Sequence, residues 1–376
     1  MFLPIYFYLF LTAFCLSLIF MPLVRRLALR LQMIDHPRGR KAHAQPTPLL
    51  GGMAIYAAFI MALFMQLAGF FLCKDTVFFR THFPFLVELE EWLRQSLPQL
   101  FAILAGATLM LILGFIDDRR GAGFSYKIKF ALQIFAAVLV VVAGVSTSFM
   151  LSPVLNVLVT VAWIVGITNA FNLLDNMDGL SAGMAVIAAM IFLLITAAQE
   201  QIFSAMIFAL LAGACGGFLF HNFNPAKIFM GDTGSLFIGY LLAALSITSS
   251  YVVPASVNLL PVISPLLILS LPIFDTLSVM FIRHKEKRPL FIGDRRHFSH
   301  RLVELGMSQR GAVIFIYLVA LSVGVAAALL PYLPLWGQLL VLLQTVAIYM
   351  MITILMHVAK RRHQSEQIND DSKLLP

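Results

Sequence analysis

Apolar residues come in long blocks along this chain, not at the two-residue spacing of strands or in the narrow stripe of a surface helix. Eleven blocks run over 3–24, 49–72, 98–116, 126–145, 150–168, 181–198, 202–220, 233–250, 257–282, 311–330 and 333–359. Each is close to the ~20 residues a helix needs to cross the hydrocarbon core of a bilayer. Only a helix satisfies all of its backbone hydrogen bonds within one such segment. The pattern therefore predicts an all-α, polytopic integral membrane protein with about eleven transmembrane helices. A single membrane-embedded domain over 1–359 is expected, followed by a polar tail, 360–376, whose order should fade beyond its first turn. Between the last two blocks, Pro331-Tyr332-Leu333-Pro334 reads as a tight turn, because proline fixes φ and ends a helix. The segment 73–97 carries Glu88, Glu90 and Glu91 ahead of Trp92 and is expected to hold an interfacial helix.

Taking the connecting segments alternately divides the charge unequally. One set, 25–48, 117–129, 169–180, 221–232, 283–310 and 360–376, holds 23 of the 26 Lys and Arg residues. The other three are Lys74, Arg80 and Arg94. Positive charge is retained on the cytoplasmic side, which places the first set inside, the N-terminus outside and the C-terminus in the cytoplasm.

Composition agrees with this picture. Hydrophobic residues make up 60% of the 376, and a soluble chain cannot hide apolar runs of this length. The net charge of +8 is topology signal and attraction to anionic lipid, so no nucleic-acid partner is expected. Cys15, Cys73 and Cys215 are odd in number and scattered, so neither a disulfide framework nor a zinc site is indicated. The first block has no basic residue before it and is followed by Arg25-Arg26 without a small-residue cleavage site, so it reads as a retained span.

The candidate chemistry lies in the basic set of segments. Asp117 and Asp118 end the third block, where paired carboxylates repel each other and oppose the helix dipole unless a cation lies between them. In 169–183, Asn172, Asp175 and Asn176 recur at helical spacing, Asp178 is placed to cap the next span, and no basic residue is present. Such oxygens suit a hard cation and a nucleoside. Gly231-Asp232-Thr233-Gly234-Ser235 opens the eighth block, with Asp232 or Thr233 as N-cap and backbone N–H groups facing any phosphate nearby. Arg295-Arg296-His297-Phe298-Ser299-His300-Arg301 reads as an anion clamp. Asp275 lies inside a span, where an ionisable side chain is costly and needs a partner.

In this order the motifs resemble the polyprenyl-phosphate N-acetylhexosamine-1-phosphate transferases, a family whose other branch is the phospho-MurNAc-pentapeptide transferases. The resemblance runs from Asp35 to about Gln309. It includes Pro46-Thr47-Pro48 with Gly51-Gly52, Asp117-Asp118 with Lys129 and Gln133, the Asn172–Gly183 run, Asn222 with Gly231–Ser235, and the histidine loop. It implies attack of a lipid phosphate on the β-phosphorus of a UDP-sugar, giving polyprenyl-diphosphate-sugar and UMP. Magnesium is the implied cofactor, with manganese as an alternative, and Asp232 its ligand. Asp117 and Asp118 would handle the acceptor phosphate, and Lys129 would contact phosphate. Asn172, Asp175 and Asp178 would line the nucleotide site with Phe229 stacking on uracil. His297, His300 and Arg301 would grip the sugar and diphosphate.

A phosphate monoester has a second pKa of about 6, so the acceptor needs little help from a general base. Charge neutralisation by magnesium, Lys129 and Arg301 is then the larger task, which favours positioning for Asp117, while the resemblance also allows Asp117 as a base. The last loop reads His-Phe-Ser-His where the peptidoglycan branch has consecutive histidines, which favours a plain UDP-HexNAc, most simply UDP-GlcNAc, over the MurNAc-pentapeptide donor. The expected partners are a UDP-HexNAc, undecaprenyl phosphate and the bilayer, with room for a homodimer. The expected location is a bacterial inner membrane, with the site on its cytoplasmic face and a role in starting an envelope polysaccharide such as lipopolysaccharide. A transporter of nucleotide sugars or lipid diphosphates is the rival. It predicts gating on both faces and polar residues near mid-membrane, whereas here the outer segments hold only three of the 26 Lys and Arg and Asp275 is the one acid within a block.

Overall fold

The computed structural model describes residues 2–35, 46–88, 90–121, 124–252, 259–287 and 296–373, with side chains described as far as Val358 apart from that of Glu88. The basic stretch 36–45 and Arg295 lie outside the described residues. Fifteen helices are formed among these residues. They are α1 (Leu3–Arg30), α2 (Gly51–Cys73), α3 (Val77–His82), α4 (Pro84–Glu88), α5 (Glu90–Arg120), α6 (Tyr126–Val142), α7 (Pro153–Leu174) and α8 (Leu180–Ala198), then α9 (Ile202–Asn222), α10 (Gly231–Thr248), α11 (Ser264–Ile268), α12 (Ser270–Lys285), α13 (Phe298–Glu304), α14 (Gln309–Leu329) and α15 (Leu335–Lys373). The strands β1 (Ile34–Asp35) and β2 (Thr47–Pro48) form an antiparallel two-residue ladder.

Nine of these helices are long and apolar enough to cross a membrane, and α11 with α12 makes a tenth if the bent pair is one span. The fourth predicted span is α6, whose 17 residues sit at the short end of the spanning range. The bend of 68° between the two halves of the ninth span has a local cause. Pro272 has no N–H to offer the carbonyl of Ile268, and its ring crowds that carbonyl, so the helix breaks between them. The segment after Cys73 forms two short helices, α3 and α4, before α5 begins at Glu90. The polar tail differs from expectation: α15 continues to Lys373, a run of helix-favouring Lys, Arg, Gln and Glu carried on from a long span.

The chain packs as two compact units, the first ending at Tyr251 and the second beginning at Val252. In the first unit α10 is central, packed against α2, α5, α7 and α8. Every residue from Thr233 to Ser246 is buried, so this helix meets protein on all sides. Small residues permit that closeness, as they do elsewhere in the unit. Gly213 and Gly217, four apart on α9, lie directly against the backbone of α1 at Phe10 and Phe14, where a Cβ would collide. In the second unit α14 packs against α11 and α13. Ser270 Oγ and Tyr349 Oη are 2.6 Å apart, joining α12 to α15. Gln338 Nε2 donates to the carbonyls of Leu330 and Leu333 (3.0 and 2.9 Å), securing the predicted proline turn.

Candidate active site

The alternating direction of the helices brings the polar motifs of the first unit to one end. Lys129, in the first turn of α6, is at its centre. Its Nζ lies 2.7 Å from Asp117 Oδ2, on the last turn of α5, and 2.8 Å from Asp232 Oδ2, in the first turn of α10. It also donates to Asn172 Oδ1 at 3.1 Å. Asn172 Nδ2 donates in turn to Asp232 Oδ1 (2.8 Å) and Ser235 Oγ (2.9 Å). One turn deeper, Gln133 and Asn169 exchange hydrogen bonds, the shorter 2.6 Å. Lys129–Asn172 and Gln133–Asn169 are thus successive rungs between two antiparallel helices. The second rung was legible as spacing, four residues on α6 against three on α7, although Asn169 was not singled out as a site residue.

Asp118 has a different task. Oδ1 accepts from the backbone N–H of Asp232 (2.9 Å), and Oδ2 from the N–H and Oγ1 of Thr233 (3.0 and 2.6 Å). The carboxylate therefore caps α10 from a neighbouring helix, at the end where the dipole favours negative charge. The sequence placed Asp232 or Thr233 as N-cap. In the structure Met230 holds that position without a side-chain cap, since the caps come from Asp118. Gly231 (φ 73°) makes the turn beneath, and Gly114 on α5 lies against the Asp232 carbonyl and Thr233 nitrogen, the approach that lets Asp118 reach.

Asp178 is also corrected. It does not cap α8, whose N-cap is Gly179. Its Oδ2 accepts from Asn224 Nδ2 and the N–H of Ala226, both at 3.0 Å, pinning the segment before Phe229. Asn222 closes the same loop, accepting from Gly179 N–H and donating to the Ile228 carbonyl, each at 2.9 Å. The early motif joins here too. Phe229 N–H donates to the Pro48 carbonyl (2.8 Å), and Gly51 and Gly52 donate to the carbonyls of Phe229 and Met230 (2.9 and 3.0 Å). Phe229 is held half-buried by its backbone on both sides. Asp175 follows the end of α7. Loss of hydration, then the nearby charges of Asp232, Asp118 and Asp178, raise its pKa well above the ordinary carboxylate value.

The histidine loop lies in the second unit. His297 is the N-cap residue of α13 and only 3% exposed, with Nδ1 2.7 Å from Asp275 Oδ2. Arg301 Nη2 donates to Ser278 Oγ at 3.0 Å. His300 is on the same short helix, its ring centroid 6.5 Å from that of His297. The sequence flagged Asp275 as an ionisable group in a span; its partner in the loop was not foreseen.

Residues 100–250 match the model of glycosyl transferase family 4, a stretch holding every residue of the first unit's polar cluster from Asp117 to Ser235. Over 342 residues the chain is 32% identical to a probable undecaprenyl-phosphate N-acetylglucosaminyl 1-phosphate transferase of Bacillus subtilis, covering 89% of this chain and 87% of that protein. The chain belongs to this family. Within it, a decaprenyl-phosphate N-acetylglucosaminephosphotransferase of Mycobacterium tuberculosis is 35% identical over 324 residues, covering 78% of this chain and 75% of that protein. A phospho-N-acetylmuramoyl-pentapeptide-transferase of Bacillus thuringiensis matches a shorter part, 32% over 258 residues, or 63% of this chain and 72% of that protein. Family 4 membership and the predicted polytopic all-α fold stand together.

No group of three His, Cys, Asp or Glu side chains among the described residues converges as a metal cage. Magnesium does not need one: it is commonly held by one or two carboxylates, with waters and substrate phosphates completing the shell. Asp117 and Asp232, both facing Lys129 at one end of a bundle, are hard oxygen donors of that kind.

Proposed function

We propose that this protein transfers GlcNAc-1-phosphate from UDP-GlcNAc to a polyprenyl phosphate, undecaprenyl phosphate in the simplest case, at the cytoplasmic face of a bacterial inner membrane. The product would begin an envelope polysaccharide. The observation that carries the proposal is the ammonium of Lys129 held between Asp117 and Asp232, with Asn172 bonded to both Lys129 and Asp232, in a family whose more similar named relatives are N-acetylglucosaminyl phosphate transferases.

In the reaction an acceptor phosphate oxygen forms a bond to the β-phosphorus of the donor. The bond from that phosphorus to the oxygen bridging α and β breaks, and UMP leaves with the electron pair. Near neutral pH the acceptor is already mostly dianionic, so its attacking oxygen carries no proton to remove. The barrier is the approach of two anions, and fixed positive charge lowers it. Lys129 supplies such charge, and Asp117 and Asp232 aim its Nζ. Asn172 fixes Asp232 by donating to Oδ1, which leaves the carboxylate plane set. Asp118 holds the start of α10, so Asp232 is presented from a rigid turn. Magnesium, with Asp232 and Asp117 as the residues that would hold it, would supply further neutralisation of phosphate charge. Asp175 and Phe229 are proposed to face the nucleotide, and His300 and Arg301 the sugar and diphosphate.

The test is UMP release by purified protein with magnesium, UDP-GlcNAc and undecaprenyl phosphate, omitting each in turn. UMP should appear only with all three. Release with UDP-MurNAc-pentapeptide but not UDP-GlcNAc would move the chain to the other branch, and silence with all UDP-HexNAc donors would remove the transferase reading.

A further inference from the structure

The proposed reaction does not use Asp275, although the structure isolates it: the side chain lies on α12, 1% exposed. Both oxygens are engaged. Oδ2 faces His297 Nδ1 at 2.7 Å, and Oδ1 accepts from the N–H of Phe298 at 2.6 Å. One turn further along α12, Ser278 accepts from Arg301 at 3.0 Å. Helix α13 is therefore fastened to α12 at its first residues and again at Arg301, with His300 between the two points. A helix of seven residues has little stability of its own and takes its direction from such contacts.

We propose that Asp275 is a positioning residue for the histidine loop and that His297 is its anchor, not a substrate ligand. A carboxylate at Nδ1 requires that nitrogen to carry the proton and donate, so Asp275 selects the ring's tautomer and plane. The same carboxylate caps the first turn of α13 with a charge-assisted bond. Together these contacts set the direction in which His300 and Arg301 project. The proposal rests on the transferase reading for its kinetic effect, but not for the hydrogen bond itself.

The experiment compares His297→Ala, His297→Asn, Asp275→Ala and the Asp275→Ala/His297→Ala double variant in the UMP-release assay, with kcat and KM for UDP-GlcNAc measured separately. An asparagine amide places an N–H close to the position of Nδ1–H. His297→Asn should therefore recover at least about tenfold of the kcat/KM lost in His297→Ala. The double variant should be no worse than the weaker single one, because both remove one unit. Equal damage in His297→Asn and His297→Ala, or fully additive losses, would overturn the proposal by making His297 an independent substrate contact. Histidine ¹⁵N NMR on the wild type and Asp275→Asn gives a readout free of activity. An Nδ1–H signal for His297 that disappears in the variant supports the anchor, and an Nε2–H tautomer in the wild type sinks it. A wild type silent in the assay but showing the Nδ1–H signal would remove the transferase reading and leave the anchor standing.

Discussion

Adjacent aspartates on one helix turn do separate work here. Asp117 meets the ammonium of Lys129, whereas Asp118 spends both oxygens on the start of α10. Replacing Asp118 by alanine leaves two backbone N–H groups and a hydroxyl without an acceptor. That should cost on the order of 2–3 kcal/mol of stability as well as activity, seen as a lower thermal midpoint in detergent. Asp232→Asn keeps the size and most of the hydrogen bonds, so its midpoint should stay near wild type while UMP release falls by about a hundredfold or more. Normal turnover in that variant would take Asp232 out of the chemistry. Asp175 adds a pH dependence with a definite sign. Its pKa is raised in the folded protein by lost hydration and by Asp232, Asp118 and Asp178, so the neutral form is favoured there. Its contribution to stability is present below the ordinary carboxylate pKa of about 4 and is lost as pH rises through the higher folded value. Asp175→Asn does not titrate. Its thermal midpoint, measured with a chelator present, should gain on the wild type as pH increases, and a constant difference across the range would contradict the assignment.

At the scale of elements, the contact between α5 and α10 decides whether these residues meet at all. Gly114 leaves room for the Asp232 carbonyl, and a methyl group there has nowhere to go. Gly114→Ala should therefore push the helices apart, lower the thermal midpoint and reduce UMP release by about tenfold or more. Gly69→Ala, on α2 with open space around it, is the control and should leave both unchanged or slightly raise stability. The helices themselves were legible because burial in lipid imposes one composition on every span. Their caps were not. A local reading assigns each helix start a cap from its own residues, as it did for Asp232 and Asp178, whereas Asp118 and Asp275 reach across from other helices. The break at Pro272 escaped for a related reason: a hydropathy window weighs composition and does not see a missing N–H. Lys129, Asn172 and Asp232 were each legible as polar exceptions beside apolar blocks. Their convergence on one ammonium is a property of packing, and only the structure displays it.

On the scale of the whole molecule, the charge asymmetry and the proposed reaction make the same demand. UDP-sugars are made and kept in the cytoplasm, so a transferase that consumes them must present its polar end there. Within the first unit, the ends of α5, α7 and α9 and the starts of α6, α8 and α10 carry Asp117, Asn172, Asn222, Lys129, Gly179 and Asp232, joined by hydrogen bonds and, at Asp117, by its ion pair with Lys129. Six successive spans thus bring their polar ends to one side, the side to which the alternation of segments in the sequence assigns the basic set. The proposed topology puts the N-terminus outside and the C-terminus in the cytoplasm. A green fluorescent protein fused after Pro376 should therefore fluoresce, and alkaline phosphatase at the same point should be inactive. The phosphatase inserted near Asp75, between α2 and α3, should be active. The reverse pattern would put the Lys129 cluster on the side without UDP-sugars, and the proposed reaction could not run there however well the residues were arranged.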